Sequence, residues 1–438
     1  MSILLRLLRE DLPSLFRRPP AEPSQDRDVR TGVMPKESIV TQPPRVRGMM
    51  VLILNWRIGE NDPFSVSTGL LRRHFIAYGK NVELIEITDS DWGAKVAQYA
   101  PSVEFAICRQ GLGSHAPIGN AGESLWDRLK IPLICIHSDH PCHMPLNHEL
   151  ESKYAFHLYT DAGFARYSNR HFRRFRGATV IDIPQLFQEP PLRERTGDWF
   201  VLAKNTSNPL DTERDWEQHL PSSIFSIYMA AAEMLKSRIV QNSYVDIHDS
   251  IDEFLAENDI DWLTIPANYP AYHQFHSHLD SYIRSVKSVN VLTSLKEFPI
   301  HIFGRGWDRY ARSAPSRHTF YPGKNMADSQ ELYYSRFGVI DVCPAKVLHD
   351  RPRRAIANGT AFLSSAYLQD TEPDLARFES LFYDFRPGQL PDRCTNVMSD
   401  PEHHMEVAVQ FGTMYRQSFP MRQFLGRIDM LASIARAT

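Results

Sequence analysis

Apolar residues in this chain come in short unbroken runs, separated by longer stretches with helical spacing. The first run, MMVLILN from Met49, has no polar alternation, as befits a strand covered on both faces. Ser67–Tyr78 then reads as a helix, Val82–Ile87 as a strand and Trp92–Tyr99 as a helix. Val103–Cys108 is a strand, Gly122–Leu129 a helix, and Pro132–Ile136 and Tyr154–Tyr159 are strands. A helix over Ala162–Phe172 and a short strand at Val180–Ile183 close the series. Strands alternating with helices predict a doubly wound parallel sheet over residues 48–195.

Phe200–Ala203 opens a second domain, residues 196–400, but helical patterning takes over across 211–295. The stretches are Asp211–His219, Ile224–Ile239, Ile251–Glu257 and Tyr272–Leu295, an α-helical insertion. Alternation resumes with strands at Ile300–Phe303 and His318–Tyr321, a helix-like Ser329–Ser335 and a strand at Val339–Val342. A helix starting near His349 and a strand at Thr360–Leu363 follow, and the pattern runs on to Phe385. Residues 401–438 form a helical tail, broken near Pro420 and expected to pack back towards the N-terminal domain. Residues 1–47 read as a leader and linker, partly disordered, because Pro19–Arg47 is rich in Pro, Arg, Asp and Ser.

Composition narrows the classes. The 438 residues carry 49 basic and 52 acidic side chains, a net charge of -3 that argues against a nucleic-acid-binding protein. Five scattered cysteines with no C-x-x-C pair suit buried free thiols in a reducing cytoplasm. No run of about 18 apolar residues is present. Arg6, Arg9 and Glu10 interrupt the apolar leader, so a signal peptide is not expected. Residues 1–18 are instead a candidate amphipathic contact with the inner membrane surface, on an otherwise cytoplasmic chain. There is no P-loop and no G-x-S-x-G elbow.

Candidate chemistry gathers after the predicted strands, where doubly wound sheets bind ligands. Gly304-Arg305-Gly306-Trp307 follows one strand, and Tyr321-Pro322-Gly323 ends another. Lys346, His349, Asp350, Arg351, Arg353 and Arg354 crowd the start of a helix, where cations oppose the macrodipole unless an anion is also present. Two readings stay open: these arginines hold a phosphate, or Asp350 caps the helix while they pair with acids such as Asp341. Lys204 could reach the same anion or simply precede a capped helix. In the first domain, His137-Ser138-Asp139-His140-Pro141-Cys142-His143 follows a strand, and Asp139 or His140 is a candidate general base. A metal site at His137, His140, Cys142 and His143 is disfavoured because Pro141 disturbs the helical spacing it would need. Arg109-Gln110-Gly111-Leu112-Gly113 is a fragment of a dinucleotide fingerprint in the wrong context, lacking the third glycine.

Two doubly wound domains facing a cleft, the second bearing the glycine-and-cation turns, describe a GT-B-like α/β architecture. The order G-R-G-W, Y-P-G, Tyr333-Tyr334, Asp341-Val342-Cys343-Pro344 and H-D-R-P-R-R-A-I-A-N-G-T resembles the CgeB-like (spore maturation protein) glycosyltransferases, which are similar to the group 1 GT-B transferases. The resemblance covers about 90 residues. In that family a G-x-G-W loop, a glycine turn and an R-x-x-E-A-x-A-x-G helix hold a nucleoside-diphosphate sugar. Gly304, Gly306 and Trp307 match the first, Gly323 the second, and Arg351, Ala355, Ala357 and Gly359 the third. The family glutamate, which receives ribose hydroxyls, falls on Arg354, which cannot accept a hydrogen bond.

The resemblance implies transfer of a sugar to a glycan, lipid or protein acceptor without a metal or cofactor, the donor contacting Gly304, Arg305, Gly306, Trp307, Tyr321, Gly323, Lys346, His349, Arg351 and Arg354. Asp139 or His140 would act on the acceptor. The alternative is a non-catalytic scaffold that binds a sugar nucleotide or a partner protein.

Overall fold

In the computed structural model the described residues are 49–57, 63–118, 123–149, 152–184, 186–187, 195, 197–241, 245–263, 269–313, 317–323, 332–343, 348–365 and 373–437. The leader and Lys346 lie outside them, as do the first three residues of the helix expected at Ser329–Ser335, whose described remainder, Leu332–Ser335, is not α-helical. The chain divides into two compact units.

The first unit alternates β1 (Met50–Asn55), α1 (Pro63–Ala77), β2 (Asn81–Glu86), α2 (Trp92–Tyr99), β3 (Val103–Arg109), α3 (Leu125–Leu129), β4 (Leu133–His137), β5 (Ala155–Tyr159), α4 (Ala162–His171) and β6 (Thr179–Val180). The strands of its main sheet lie in the order β2-β1-β3-β4-β5-β6, all parallel. Every residue of β1, β4 and β5 is buried, whereas edge strand β2 buries only Val82 and Ile85. Helices cover both faces, which is why the central strands are apolar throughout. On one face Val51, Ile53, Phe105, Ile134 and Ile136 pack on Leu71 and Phe75 of α1. On the other, Leu52, Cys108, Leu133 and Cys135 pack on Val96 of α2 and on Leu125 and Trp126 of α3. Side-chain caps set the helix starts: Ser124 accepts from the Asp127 amide at 3.1 Å, and Asp161 accepts from Gly163 at 2.6 Å.

The second unit opens with β7 (Phe200–Ala203) and leaves the sheet for four helices: α5 (Pro209–His219), α6 (Ser222–Gln241), α7 (Ile247–Glu257) and α8 (Tyr269–Ser294). These pack on one another through Trp216, Tyr228, Trp262, Phe275 and Tyr282, in edge and tilted ring contacts. The chain returns through β8 (Ile300–Phe303), α9 (Asp308–Ala311), β9 (His318–Tyr321), β10 (Val339–Asp341), α10 (Asp350–Ala357), β11 (Phe362–Ser364) and α11 (Gln389–Ser399). The strand order is β9-β8-β7-β10-β11, again all parallel. The helical insertion is not a separate body: Val291, Leu292 and Leu295 at the end of α8 pack on Phe200, Leu202, Ile300 and Ile302 of the sheet. Helix α11 was not legible in the pattern, since its polar sequence QLPDRCTNVMS buries only Leu390, Cys394 and Val397.

The tail divides at Pro420. Helix α12 (Pro401–Ser418) packs Phe411 against Phe362, Phe378 and Phe382 of the second unit. Helix α13 (Met421–Arg436) places Phe424, Leu425, Ile428, Leu431, Ala432 and Ala435 on the first sheet. Each large apolar side chain so buried contributes about 1.5–3 kcal/mol. Among the described residues no helix is long and apolar enough to cross a membrane.

Candidate functional site

The strand order of the second sheet reverses direction between β7 and β10, because β8 and β9 extend one way from β7 while β10 and β11 extend the other. Open α/β sheets leave a crevice beyond the strand ends at that point. Lys204 follows β7 there, and its Nζ donates to the carbonyl of Val342, just past β10, at 3.3 Å. Asp341, the last residue of β10, is fully buried. Its carboxylate accepts from Ser364 Oγ at 3.1 Å and meets the Arg351 guanidinium at 3.4 Å. Arg351 comes from the first turn of α10, so the ion pair ties that helix to the strand end.

Two further cations enter from α8. Arg284 pairs with buried Asp280 at 2.6 Å, one turn earlier, and Lys287 is buried with its ammonium 5.4 Å from the Phe385 ring centre. The loop after β7 is fixed to the same helix by a 2.8 Å bond between Ser207 Oγ and Ser285 Oγ. Lys204 lies in the field of Arg284 and Arg351, opposed by Asp341, and Lys287 in that of Arg284, opposed by Asp280. Burial pushes the Lys204 ammonium down to about 8, and Arg351 and Arg284 press the same way against Asp341. Burial likewise lowers Lys287 to about 8, opposed by Asp280. Burial also disfavours the charge on Arg351, but Asp350 and Asp341 more than restore it. Asp350 itself is held well below the usual carboxylate range: burial opposes its charge, while His349, Arg351 and Arg353 outweigh that. A half-buried cluster of cations whose ammonium groups are already destabilised is matched chemically by an anion.

The G-R-G-W loop has a second reason for its glycines. A Cβ on Gly304 would lie 2.1 Å from the Lys204 carbonyl oxygen, and one on Gly306 would lie 1.8 Å from that of Thr206. Both residues also have φ in the left-handed region, at 152° and 85°. The loop is laced to the Lys204–Ser207 segment: the Trp307 indole donates to Lys204 O at 2.7 Å, the Arg305 amide to Asn205 Oδ1 at 2.9 Å, and the Thr206 amide to Arg305 O at 3.0 Å. Trp307 is buried, so its role is to lock these turns together, and the Arg305 side chain is exposed. Tyr321 stacks on Phe303 with ring centres 4.6 Å apart, and Gly323 lies against Gly304.

His349 pairs with Asp350 at the start of α10. Arg354 is buried between the rings of Phe187 and Tyr333, 5.4 and 5.3 Å from their centres. The sequence reading missed Arg284 and Lys287. They belong to a helix whose pattern announces core packing, and only the closing of α8 onto the sheet brings them to the strand ends.

The first sheet reverses between β1 and β3. Asn55, ending β1, donates to the Glu86 carboxylate at 2.8 Å, and Arg109, ending β3, donates to Ser67 Oγ. Gln110 sits at φ 52°, a conformation unusual for a residue with a Cβ. It is buried and aims its amide at Asp139 Oδ2, at 2.8 Å, and at Ser138 Oγ, at 2.9 Å. Asp139 is thereby an exposed carboxylate on a fixed tether at the carboxyl edge of the sheet. His140 is placed differently: it is buried edge-on to Phe164 and Tyr167, and its Nδ1 accepts the Cys142 amide at 3.2 Å. It caps the short turn Pro141–His143.

No family model and no curated protein matches the sequence. Among solved structures the chain is similar to the beta-glucosyltransferase of T4 phage, at 10% identity and a TM-score of 0.46, over 88% of this chain and 99% of that one. It is also similar to HepE of Anabaena in complex with UDP, at 10% identity and a TM-score of 0.36, over 88% and 100% of the two chains. A third similarity, to the glycosyltransferase SnogD of Streptomyces nogalater, has 10% identity and a TM-score of 0.35, over 87% and 100%.

Proposed function

We propose that this chain transfers a sugar from a nucleoside-diphosphate sugar to a hydroxyl-bearing acceptor, in the manner of the CgeB-like glycosyltransferases it resembles. The observation that carries the reading is the convergence of Lys204, Arg284, Lys287 and Arg351 on the switch point of the second sheet. A diphosphate is the anion suited to so many cations at a strand end and a helix start. In this role Lys204 and Arg351, with Lys287 behind them, stabilise the departing nucleoside diphosphate, where charge accumulates as the glycosidic bond breaks. Arg305 is exposed beside them and is assigned to the outer phosphate. Gly304, Gly306 and Trp307 shape the turn, and Asp139, positioned by Gln110, takes the proton from the acceptor hydroxyl. His140 supports that loop from within. No metal is assigned to the transfer step.

Binding of a sugar nucleotide without turnover is the second reading. It is favoured by Arg354, which puts a guanidinium between two rings where the family offers ribose a carboxylate. A thermal-shift panel of UDP-, GDP-, CMP- and ADP-sugars against NAD and ATP tests the ligand class, since a ligand bound only by the folded chain raises the midpoint. Stabilisation by NAD or ATP alone would overturn both readings. Donor hydrolysis that falls at least about a hundredfold in Asp139→Asn identifies an enzyme. Stabilisation by a sugar nucleotide with no turnover identifies a scaffold.

A further inference from the structure

The first unit contains a buried group of metal-ligating side chains that sugar transfer does not use. Parallel pairing sets Cys135 of β4 beside His157 of β5, and His137 beside Tyr159, so all four side chains rise from the same sheet face near its carboxyl edge. Cys135 and His137 are fully buried, and His157 is 1% exposed. One ligand atom from each of Cys135, His137 and His157 falls within 4.8 Å of the other two. The His137 Nε2 and His157 Nδ1 atoms are 3.0 Å apart.

We infer that Cys135, His137 and His157 bind one zinc ion, held by a thiolate and two imidazoles. Thiolate and imidazole are both ligand types that zinc accepts. His148 stands next to it, its ring centre 4.2 Å from that of His137, but its Nδ1 is bonded to the Tyr159 hydroxyl and it is not assigned as a ligand. The Cys135 thiol gives its proton to solvent as the sulfur–zinc bond forms, and the thiolate offsets part of the ion's charge. Arg174 is the cation beside the site, and its guanidinium is engaged by the carbonyl of His148 at 2.8 Å and the hydroxyl of Tyr159 at 3.2 Å. A buried ion of this kind is structural: it ties β4 and β5 together beneath the loop that carries Asp139. It shares only His137 with the sequence-adjacent set His137, His140, Cys142 and His143, and the inference does not depend on the sugar-transfer reading.

The test uses the full chain unfolded in denaturant with a chelator, then refolded with zinc, with cobalt or with neither, followed by desalting and metal analysis. About one equivalent of retained zinc is expected, with a higher thermal midpoint than the metal-free sample. The cobalt form should show a thiolate-to-cobalt charge-transfer band that Cys135→Ser lacks. His157→Gln should retain less than about a tenth of an equivalent of zinc. Wild-type chain that refolds to the same midpoint with and without zinc and retains none would overturn the site. So would folded Cys135→Ser holding as much metal as the wild type. If a variant fails to fold, the wild-type comparison with and without zinc decides alone.

Discussion

The Lys204 ammonium donates to the Val342 carbonyl oxygen at 3.3 Å, joining the two strands between which the second sheet changes direction. That bond uses one of three ammonium protons and leaves two for a ligand. Lys204→Met keeps most of the stem's packing and removes the charge. Charge-assisted hydrogen bonds are worth about 1.5–3 kcal/mol, so UDP should bind about 10- to 150-fold more weakly to this variant. Isothermal titration measures the affinity, and the thermal midpoint should move by only a few degrees. Unchanged affinity would remove Lys204 from the site.

Lowered lysines make that binding pH-dependent, with a definite sign. Lys204 and Lys287 both sit at about 8, so each is mostly charged at neutral pH and neutral well above it. An anion raises both values, and binding near pH 8 should therefore take up protons. Titrations in buffers of different ionisation enthalpy measure that uptake directly. Affinity for UDP should be level below about pH 7.5 and fall above about pH 8. For the ligand-free protein the sign is opposite. Between about 8 and the ordinary lysine value near 10.4 the unfolded chain binds more protons, so these two groups make folding more favourable as pH rises through that window.

How much was legible follows from how local each signal is. Runs such as MMVLILN announce buried parallel strands by composition alone, and both sheets were visible in this way. Gly304 and Gly306 were legible as special positions, although the sequence could not say that the carbonyls of Lys204 and Thr206 press on them from about a hundred residues away. The cations of α8 were not legible as site residues. Arg284 and Lys287 lie in a helix rich in buried aromatics, and the approach of Arg284 to Lys204 depends on how that helix closes on the sheet. Gln110 was read only as part of a broken glycine fingerprint. Its bond to Asp139 arises because β3 and β4 are neighbours, a pairing that no spacing along the chain reveals. The same holds for Cys135 and His157, which strand register alone makes partners.

The two glycines separate packing from ligand contact. Gly304→Ala would force a Cβ to within 2.1 Å of a backbone carbonyl, and Gly306→Ala to within 1.8 Å, both at left-handed φ. Backbone must shift in each case, at a cost of about 2 kcal/mol or more, or a midpoint lower by about 5 °C. Gly323→Ala is the control, because its Cβ would meet nothing nearer than 3.7 Å. Its stability should stay within about 0.5 kcal/mol of wild type. Equal melting of all three variants would show that the tight crossing of the two loops does not exist in solution.

Arg354 stands where the transferases this sequence resembles carry a glutamate. Its guanidinium lies 5.4 Å from the Phe187 ring centre and 5.3 Å from that of Tyr333, and the side chain is buried. Cation–π contacts with two rings in a desolvated setting are worth about 1–2 kcal/mol each, and the stem adds packing. Arg354→Met should therefore lower stability by about 1–3 kcal/mol while UDP affinity changes less than about threefold. Arg354→Glu introduces the glutamate of the resembled transferases but turns a carboxylate toward two ring faces, so it should be less stable than Arg354→Met and gain no affinity. Chemical denaturation of both variants, read beside nucleotide titration, separates the outcomes. A stable Arg354→Glu chain that binds UDP more tightly would show that this position contacts ribose after all, with the two rings as its pocket.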